Sequence, residues 1–255
     1  MTVNELHLFA GAGGGILAGQ LRGNRCVCAV EFDPYAQAVL VARQNDGTFP
    51  AFPIWDDVRT FDGRPWRGIV DIVAGGFPCQ DVSAAGTGDG IDGERSGLWT
   101  EMARIIREVR PFCVEVENSP MLTSRGLGRV LGDLASMGFD AEWGVLSAAD
   151  TDAPHLRERI WIRGYVADAY RAREPQHAVR EREQRIITGG AEAQEREGSF
   201  ERSDRPRGYG FGRWPAEPGM GRVVDGMAHR AHRIRTLGNG QVPRVAATAF
   251  TLLKR

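Results

Sequence analysis

The sequence lacks long apolar runs. No uninterrupted apolar stretch in the 255 residues approaches the roughly 20 residues that span a bilayer. No basic segment precedes an apolar one at the N-terminus, so we expect neither a membrane span nor a signal peptide. A hydrophobic content of 42% and a charged content of 25% are typical of a globular protein with a sizeable core. The composition therefore predicts a cytoplasmic protein with no membrane association.

Cysteine and histidine are scarce. Four cysteines do not make a disulfide framework in a chain of this length, and five scattered histidines offer no spacing typical of a metal site. We therefore expect a reducing compartment and no metal. Cys26, Cys28 and Cys113 lie in apolar runs, where a buried thiol is the ordinary role. Cys26 and Cys28 flank one valine, which predicts that both lie on the same face of a strand.

Lysine is almost absent, since 31 of the 32 basic residues are arginine. The net charge of −1 is unevenly distributed: residues 1–170 hold 15 basic and 23 acidic residues, residues 171–209 hold 9 and 8, and residues 210–255 hold 8 and 2. A basic C-terminal segment on an acidic protein suits a nucleic-acid interface. A bias toward arginine codons explains the same counts, so charge alone leaves both interpretations open.

The first 165 residues alternate between strand and helix patterns. Strands are predicted at residues 5–9, 26–32, 69–74, 112–116, 141–146 and 159–166. Helices are predicted from the first glycine turn to residue 22 and at residues 36–43, 97–109 and 127–137. This alternation predicts an α/β fold with a doubly wound, mostly parallel sheet and helices on both faces.

The composition changes near residue 168. Residues 171–207 are rich in Arg and Glu and poor in large apolar side chains, so they can bury little surface on their own. Tyr209, Phe211 and Trp214 follow, and for these we favour packing in a small lobe over stacking on DNA. Residues 235–253 read as a loop and an amphipathic helix. We therefore divide the chain into residues 1–167, 168–222 and 223–255.

Two predicted turns suit an adenosine-containing cofactor. The first is FAGAGGG at residues 9–15, which follows a strand and opens a helix, so that its backbone can approach a ligand closely. Glu31 ends the next strand about 20 residues later, a spacing suited to ribose hydroxyls. Asp57 is placed to accept an adenine amino group, although helix capping explains an aspartate equally well.

Two further strand ends carry reactive side chains. The run GGFPCQ at residues 75–80 places Cys79 after a strand and before a long polar, glycine-rich loop, where a thiolate can attack an electron-poor carbon. Glu115 and Glu117 precede Asn118 at the end of another strand and are predicted to share one face. Glu117 lies nearer the strand end and is therefore the better candidate for the ligand site.

Together these motifs resemble those of the C5-cytosine DNA methyltransferases, over nearly the whole chain. The matching segments are FAGAGG at residues 9–14, GFPCQ at 76–80, EN at 117–118, RER at 157–159 and LGNGQVP at 237–243. The resemblance implies a Rossmann-like methyltransferase fold in which residues 168–222 form a small, irregular target-recognition region. It also implies S-adenosylmethionine as the methyl donor and double-stranded DNA as the substrate.

The resemblance assigns roles residue by residue. Its implied catalytic residues are Cys79, Gln80, Ser83, Glu117, Asn118, Arg157 and Arg159. Its implied cofactor-binding residues are Phe9, Ala10, Gly11, Gly13, Gly14, Glu31, Phe32, Asp57, Val58, Pro78, Asn239 and Val242.

The chemistry of cytosine explains these residue types. Carbon 5 is a poor nucleophile, and thiolate addition at carbon 6 gives it enamine character. Cys79 would supply the thiolate, Glu117 would bond ring N3 and the exocyclic amine, and either Arg157 or Arg159 would hold O2. The target atom is inaccessible in a stacked duplex, so the base must be flipped out, and residues 80–97 would cover it as a lid.

Departures and alternatives remain. His155, Ser119 and Gly240 replace residues commoner in the family, without removing a group that the chemistry needs. The short segment 168–222 makes sequence specificity the weakest part of the interpretation. A tRNA-directed cytosine-5 methyltransferase and a DNA-binding protein with weak or no activity stay open, whereas an NAD-type dehydrogenase gives Cys79 no role. We expect a monomer, and the sequence does not decide whether a cognate restriction endonuclease is its partner.

Overall fold

The computed structural model describes residues 2–78, 97–166 and 238–253. Within these ranges seven strands form one sheet: β1 (Asn4–Leu8), β2 (Arg25–Val30), β3 (Ile54–Trp55), β4 (Ile72–Gly75), β5 (Cys113–Asn118), β6 (Phe139–Leu146) and β7 (Arg159–Val166). Six α-helices accompany them: α1 (Gly14–Leu21), α2 (Pro34–Asn45), α3 (Gly97–Val109), α4 (Leu122–Arg125), α5 (Leu127–Ser136) and α6 (Pro243–Leu252). No helix in the described ranges is long and apolar enough to cross a membrane.

The sheet is mostly parallel. Its strand order is β3-β2-β1-β4-β5-β7-β6, in which β1 to β5 pair in parallel while β7 runs antiparallel to both β5 and β6. The order reverses at β1, from which one half of the sheet runs through β2 to β3 and the other through β4 to β5. The predicted α/β class is confirmed. A reversal of this kind creates a crevice at the carboxyl ends of the strands.

Helices cover both faces of the sheet. On one face, α3 and α5 bury Trp99, Ile105 and Leu134 against apolar side chains of β1, β4, β5 and β7. On the other face, α1, α2 and α6 form two smaller clusters, around Leu40 and around Phe250. The main core therefore lies under α3 and α5, and the opposite face leaves room for buried polar groups.

The local predictions succeed where the sequence pattern is strong. Helix α3 and strand β7 have the predicted bounds, and the last predicted segment contains α6. Strand β4 begins three residues later than expected, because the N–H groups of Ile69 and Val70 bond to the Trp66 carbonyl in a turn. Strand β3 has only two residues, which is too short to give a pattern, and the sequence did not predict it.

The thiols are buried as predicted, but not on one face. The pairing of β1 with β2 shifts register between Glu5 and Leu6, so that Glu5 pairs with Cys26 and Leu6 with Cys28. Because adjacent residues of β1 face opposite ways, Cys26 packs on the α1 side and Cys28 in the main core, and the same-face prediction is wrong. Burial raises the pKa of Cys28 and of Cys113 to about 12, which keeps both thiols protonated.

A layer of buried charge lies between the sheet and helices α1 and α6. Arg22, which follows α1, donates to both carboxylate oxygens of Glu115 at 2.6 Å and to Glu5 Oε1 at 3.0 Å. Arg163 on β7 lies 3.2 Å from Glu115 Oε1 and donates to the Phe250 carbonyl of α6. We call Glu5, Arg22, Glu115 and Arg163 the buried charge layer, and it ties α6 to the sheet.

Helix α1 passes close enough to this layer that position 19 has no space for a side chain. A Cβ at Gly19 would lie 2.8 Å from Glu5 Cδ. We expect Gly19→Ala to lower the free energy of unfolding by about 2–4 kcal/mol, because it displaces a buried, paired carboxylate. Gly132→Ala, in α5 with open space at its Cβ, should instead stabilise by about 0.5–1 kcal/mol. Urea unfolding of both variants measures the difference, and equal effects would contradict this account.

Candidate active site

The carboxyl ends of β1, β2, β4 and β5 meet at one edge of the sheet, where they border a cavity of about 680 Å³. We call it the main cavity. Eleven of the residues predicted from the sequence line it: Phe9, Gly11, Glu31, Phe32, Asp57, Val58, Pro78, Glu117, Asn118, Arg159 and Asn239. The structure thus brings together side chains from seven separate segments of the chain.

The turn after β1 is held open by its backbone and by Glu31. Phe9 and Gly11 have φ angles of 54° and 55°, in the left-handed region that is uncommon for a residue with a side chain such as Phe9. Glu31 accepts hydrogen bonds from Gly11 N at 2.6 Å and from Asp33 N at 2.8 Å. Its carboxylate joins the turns after β1 and β2 and retains lone pairs for hydroxyl donors.

An aromatic ring lies at the same end of the main cavity. Phe32 follows Glu31 and is 68% exposed, unusual for a large apolar side chain. The guanidinium of Arg59 lies 5.8 Å from the centre of the Phe32 ring and also binds Asp57, which lowers the pKa of that carboxyl group. An apolar face with a carboxylate beside it is an arrangement that suits a nucleoside.

Four predicted binding residues do not line the main cavity. Gly13, with a φ of 88°, packs against Phe49, and Gly14 packs against the backbone of Gln241. Ala10 lies against the cluster around Leu40, and Val242 lies against the cluster around Phe250. These contacts give all four a part in shaping the turns that line the cavity.

Glu117 is the buried acid of the site. It is the penultimate residue of β5 and is 7% exposed, and its Oε1 lies 2.9 Å from Arg159 Nε on the neighbouring strand β7. Burial raises the pKa of Glu117, while the charges of Arg159 and Arg157 and a hydrogen bond from Gln241 oppose the rise. Its neighbour Glu115 faces the same side of the sheet, as predicted, but belongs to the buried charge layer.

The two arginines that the sequence could not separate make different contacts. Arg159 lines the main cavity and pairs with Glu117. Arg157 donates from Nη2 to the carbonyl oxygens of Gly238 and Gly240, both at 2.7 Å. Burial and the nearby charge of Arg159 lower the pKa of Arg157. Arg157 therefore anchors the segment before α6, and Arg159 faces the ligand space.

Asn118 fixes the chain that leads toward the predicted nucleophile. Its side-chain amide donates to the Phe77 carbonyl at 3.1 Å, and its Oδ1 accepts from Ser119 N at 2.7 Å. Pro78, the residue after Phe77, lines the main cavity. Cys79, Gln80 and Ser83 lie outside the described residues, as does the whole of the segment 168–222.

One polar residue of the site was not selected from the sequence. Gln241 lies in the turn before α6 and bonds to the side chain of Glu117. Gln241 and Glu117 also border a second cavity of about 30 Å³, together with His7, Gly15 and Gly76. The residue stands inside the LGNGQVP segment, so the motif was visible, but nothing in it indicates a contact with Glu117.

The described residues contain no group of three or more His, Cys, Asp and Glu side chains that could hold a metal ion. The charged side chains that line the main cavity are four carboxylates, Glu31, Asp33, Asp57 and Glu117, and the guanidinium groups of Arg59 and Arg159. The arrangement supplies a buried acid beside a cation at one end and an apolar surface with carboxylates beside it at the other.

Comparison with known proteins identifies the family. A model of C-5 cytosine-specific DNA methylases matches residues 3–203 of the chain. The chain belongs to this family.

Curated relatives of this methylase family share about a third of their aligned residues with the chain. The type II methyltransferase M.DsaV of Dactylococcopsis salina is 32% identical over 165 residues, which are 63% of this chain and 45% of the relative. M.Eco47II of Escherichia coli is 36% identical over 166 residues, which are 62% of this chain and 38% of that protein. The chain therefore spans less than half the length of these relatives.

Solved structures show the same fold at lower identity. The Entamoeba histolytica methyltransferase EhMeth superposes with a TM-score of 0.55 at 14% identity, covering 66% of this chain and 54% of that one. The Schizosaccharomyces pombe Dnmt2 methyltransferase gives a TM-score of 0.52 at 20% identity, with coverages of 64% and 51%. These similarities confirm the predicted Rossmann-like methyltransferase fold.

The raised pKa of Glu117 predicts a dependence of stability on pH. The unfolded chain loses the Glu117 proton near pH 4.5, whereas the folded protein keeps it to higher pH, so the folded state is progressively destabilised as pH rises through that window. Glu117→Gln removes this titration. We expect the free energy of unfolding of this variant, relative to that of the wild type, to increase by on the order of 1 kcal/mol as pH rises above about 4.5. Urea unfolding at several pH values measures this, and a constant difference would refute it.

Proposed function

We propose that this chain transfers a methyl group to carbon 5 of cytosine in double-stranded DNA, with S-adenosylmethionine as the donor. The observation that carries the proposal is the buried Glu117–Arg159 pair in the cavity wall, beside the Pro78 end of the segment that leads to Cys79. Membership of the methylase family supports the reaction class. The chain covers less than half of its curated relatives, so the proposal for this chain depends on its own residues.

The Glu31 end of the main cavity fits the donor. Gly11 has a positive φ and open space where a Cβ would stand, so a ligand can lie against the backbone there. Glu31 would accept hydrogen bonds from the ribose hydroxyls, and the exposed Phe32 ring would cover the adenosine, with Asp57 and Val58 at its edge. S-adenosylmethionine supplies an electrophilic methyl group when bound. Asn239 and Pro78 would close the pocket from the other segments.

The Glu117 end fits the base. Burial raises the pKa of the Glu117 carboxyl group, and in its protonated form that group can donate to ring N3 of cytosine and stabilise the negative charge that develops there. Arg159, fixed by Glu117, would hold the O2 atom, and Arg157 would act indirectly through the turn it anchors. Asn118 would position the Phe77–Pro78 backbone, and through it the following Cys79.

Cys79 completes the chemistry. Its thiolate would form a bond to carbon 6, and the ring electrons would move to carbon 5, which would then bond the methyl group as the methyl–sulfur bond of the donor breaks and S-adenosylhomocysteine leaves. Loss of the proton on carbon 5 would re-form the double bond and expel the thiolate. Gln80 and Ser83 would lie in the loop that covers the flipped base. Unpairing that base from the duplex would cost roughly a few kcal/mol.

The decisive experiment compares two thiols of the same chain. We expect Cys79→Ser to reduce transfer of tritiated methyl groups to duplex DNA by about three orders of magnitude or more, because the attacking group is lost. It should also abolish the covalent complex with duplex DNA containing 5-fluorocytosine. Cys26→Ala, which removes a buried thiol of β2, should leave both the methyl transfer and the covalent complex unchanged.

The same assays discriminate the alternatives. Methyl transfer to tRNA but not to duplex DNA would replace the DNA assignment with an RNA one. DNA binding without transfer, unaltered by Cys79→Ser, would make the chain a binding protein. Transfer that persists in Cys79→Ser would refute the covalent mechanism.

The donor site has a separate test. We expect Phe32→Ala to weaken binding of S-adenosylhomocysteine about 10-fold, since an aromatic surface that contacts the nucleoside is removed. Because the ring is largely exposed, the free energy of unfolding should change by less than about 0.5 kcal/mol. Val41→Ala, at an exposed position of α2, is the matched control. Isothermal titration calorimetry measures both, and unchanged affinity in Phe32→Ala would exclude the ring from the donor site.

The wider assignments are proposals of the same kind. Residues 168–222 would serve as the target-recognition region between the catalytic residues 1–167 and the returning residues 223–255. Duplex DNA would be the partner and a monomer the working unit. The curated relatives are type II methyltransferases, which supports a cognate restriction endonuclease as the companion enzyme.

A further inference from the structure

We propose that Gln241 is a positioning residue for Glu117, whose side-chain amide holds the carboxyl group in the orientation that meets the base. The inference rests on the proposed function, in which Glu117 donates to cytosine. It concerns a residue outside the predicted catalytic and binding sets.

Each oxygen of the Glu117 carboxyl group has a polar side chain near it. Arg159 Nε lies 2.9 Å from Oε1. The Oε2 atom faces Gly76, where a Cβ would stand 2.5 Å from Oε2 and 3.3 Å from Gln241 Nε2. The Gln241 amide and Glu117 Oε2 therefore border the same small space, and the side chain of Gln241 hydrogen-bonds Glu117. A carboxyl group fixed at both oxygens has little freedom to rotate.

Gln241 itself is seated by glycines. A Cβ at Gly15 would lie 2.8 Å from Gln241 Oε1, and a Cβ at Gly14 would lie 3.1 Å from its carbonyl carbon. Arg157 holds the preceding turn through the carbonyl groups of Gly238 and Gly240. The glutamine is thus packed against the start of α1 on one side and anchored to the approach of β7 on the other.

The contact is polar by necessity. The main-cavity side of Glu117 is occupied by Arg159, with Arg157 further away, and the 30 Å³ cavity separates the acid from His7 on β1. The buried Oε2 atom needs a hydrogen-bond donor, because an unpaired polar atom in this setting is costly. The Gln241 amide supplies that donor, and an apolar residue of equal length would fill the space without doing so.

The test removes the amide and keeps the volume. We expect Gln241→Met to lower kcat about 10-fold to 100-fold in methyl transfer to duplex DNA, with KM values for DNA and donor within about twofold of wild type. Because an amide N–H favours the ionised carboxylate, its loss should also move the basic limb of the pH profile to higher pH. Leu252→Ala, exposed on the same segment, should behave as wild type.

A second measurement does not require activity. In urea unfolding of the full chain, Gln241→Met, Glu117→Gln and the double variant form a cycle, and we expect the double variant to lose less stability than the sum of the single losses. Additive losses, or an unchanged kcat and pH profile in Gln241→Met, would overturn the positioning role. If wild-type protein transfers no methyl group to any nucleic acid, the proposed function fails, and the cycle alone decides the contact between Gln241 and Glu117.

Discussion

The buried charge layer is the interaction on which the placement of the last helix depends. Removing four charged side chains from water costs several kcal/mol for each ion, and only close pairing offsets it. Arg22 meets this requirement by binding both oxygens of Glu115 while also reaching Glu5. Arg163 extends the layer to the end of α6, where Tyr165 donates to the Leu253 carbonyl as well. These contacts fix the register in which helix α6 packs against the sheet. The turn before α6 is thereby placed at the candidate active site.

Sequence reasoning predicted that the selected side chains would lie together, because parallel strands gather their carboxyl ends. Glu31, Glu117 and the segment before Cys79 each follow a recognisable strand, and the fold brings their ends to one cavity without further information. The same rule explains why the order of the strands could remain unknown while the ligand edge was predicted. The family resemblance then assigned chemistry to positions that the periodicity had already placed.

What the sequence could not provide was pairing between distant segments. The arginines at 157 and 159 have the same residue type and nearly the same position, and only their contacts with the turn at residues 238–240 and with Glu117 distinguish them. The opposite faces of Cys26 and Cys28 depend on a register shift in β1, which a single strand does not reveal. Gln241 stood in a visible motif, yet its contact with Glu117 exists only after α6 has packed.

The glycines that pack against Gln241 have a consequence for the order of folding. Gly14, Gly15 and Gly76 precede residue 80, and the side chain and backbone that fill the space beside them belong to Gln241, far along the sequence. A nascent chain on the ribosome can pair its early strands, because those contacts are all available. The space beside the three glycines is filled only when the segment that contains Gln241 packs against the sheet. The turns after β1 and β4 are therefore completed by a contact between segments that are far apart in the sequence.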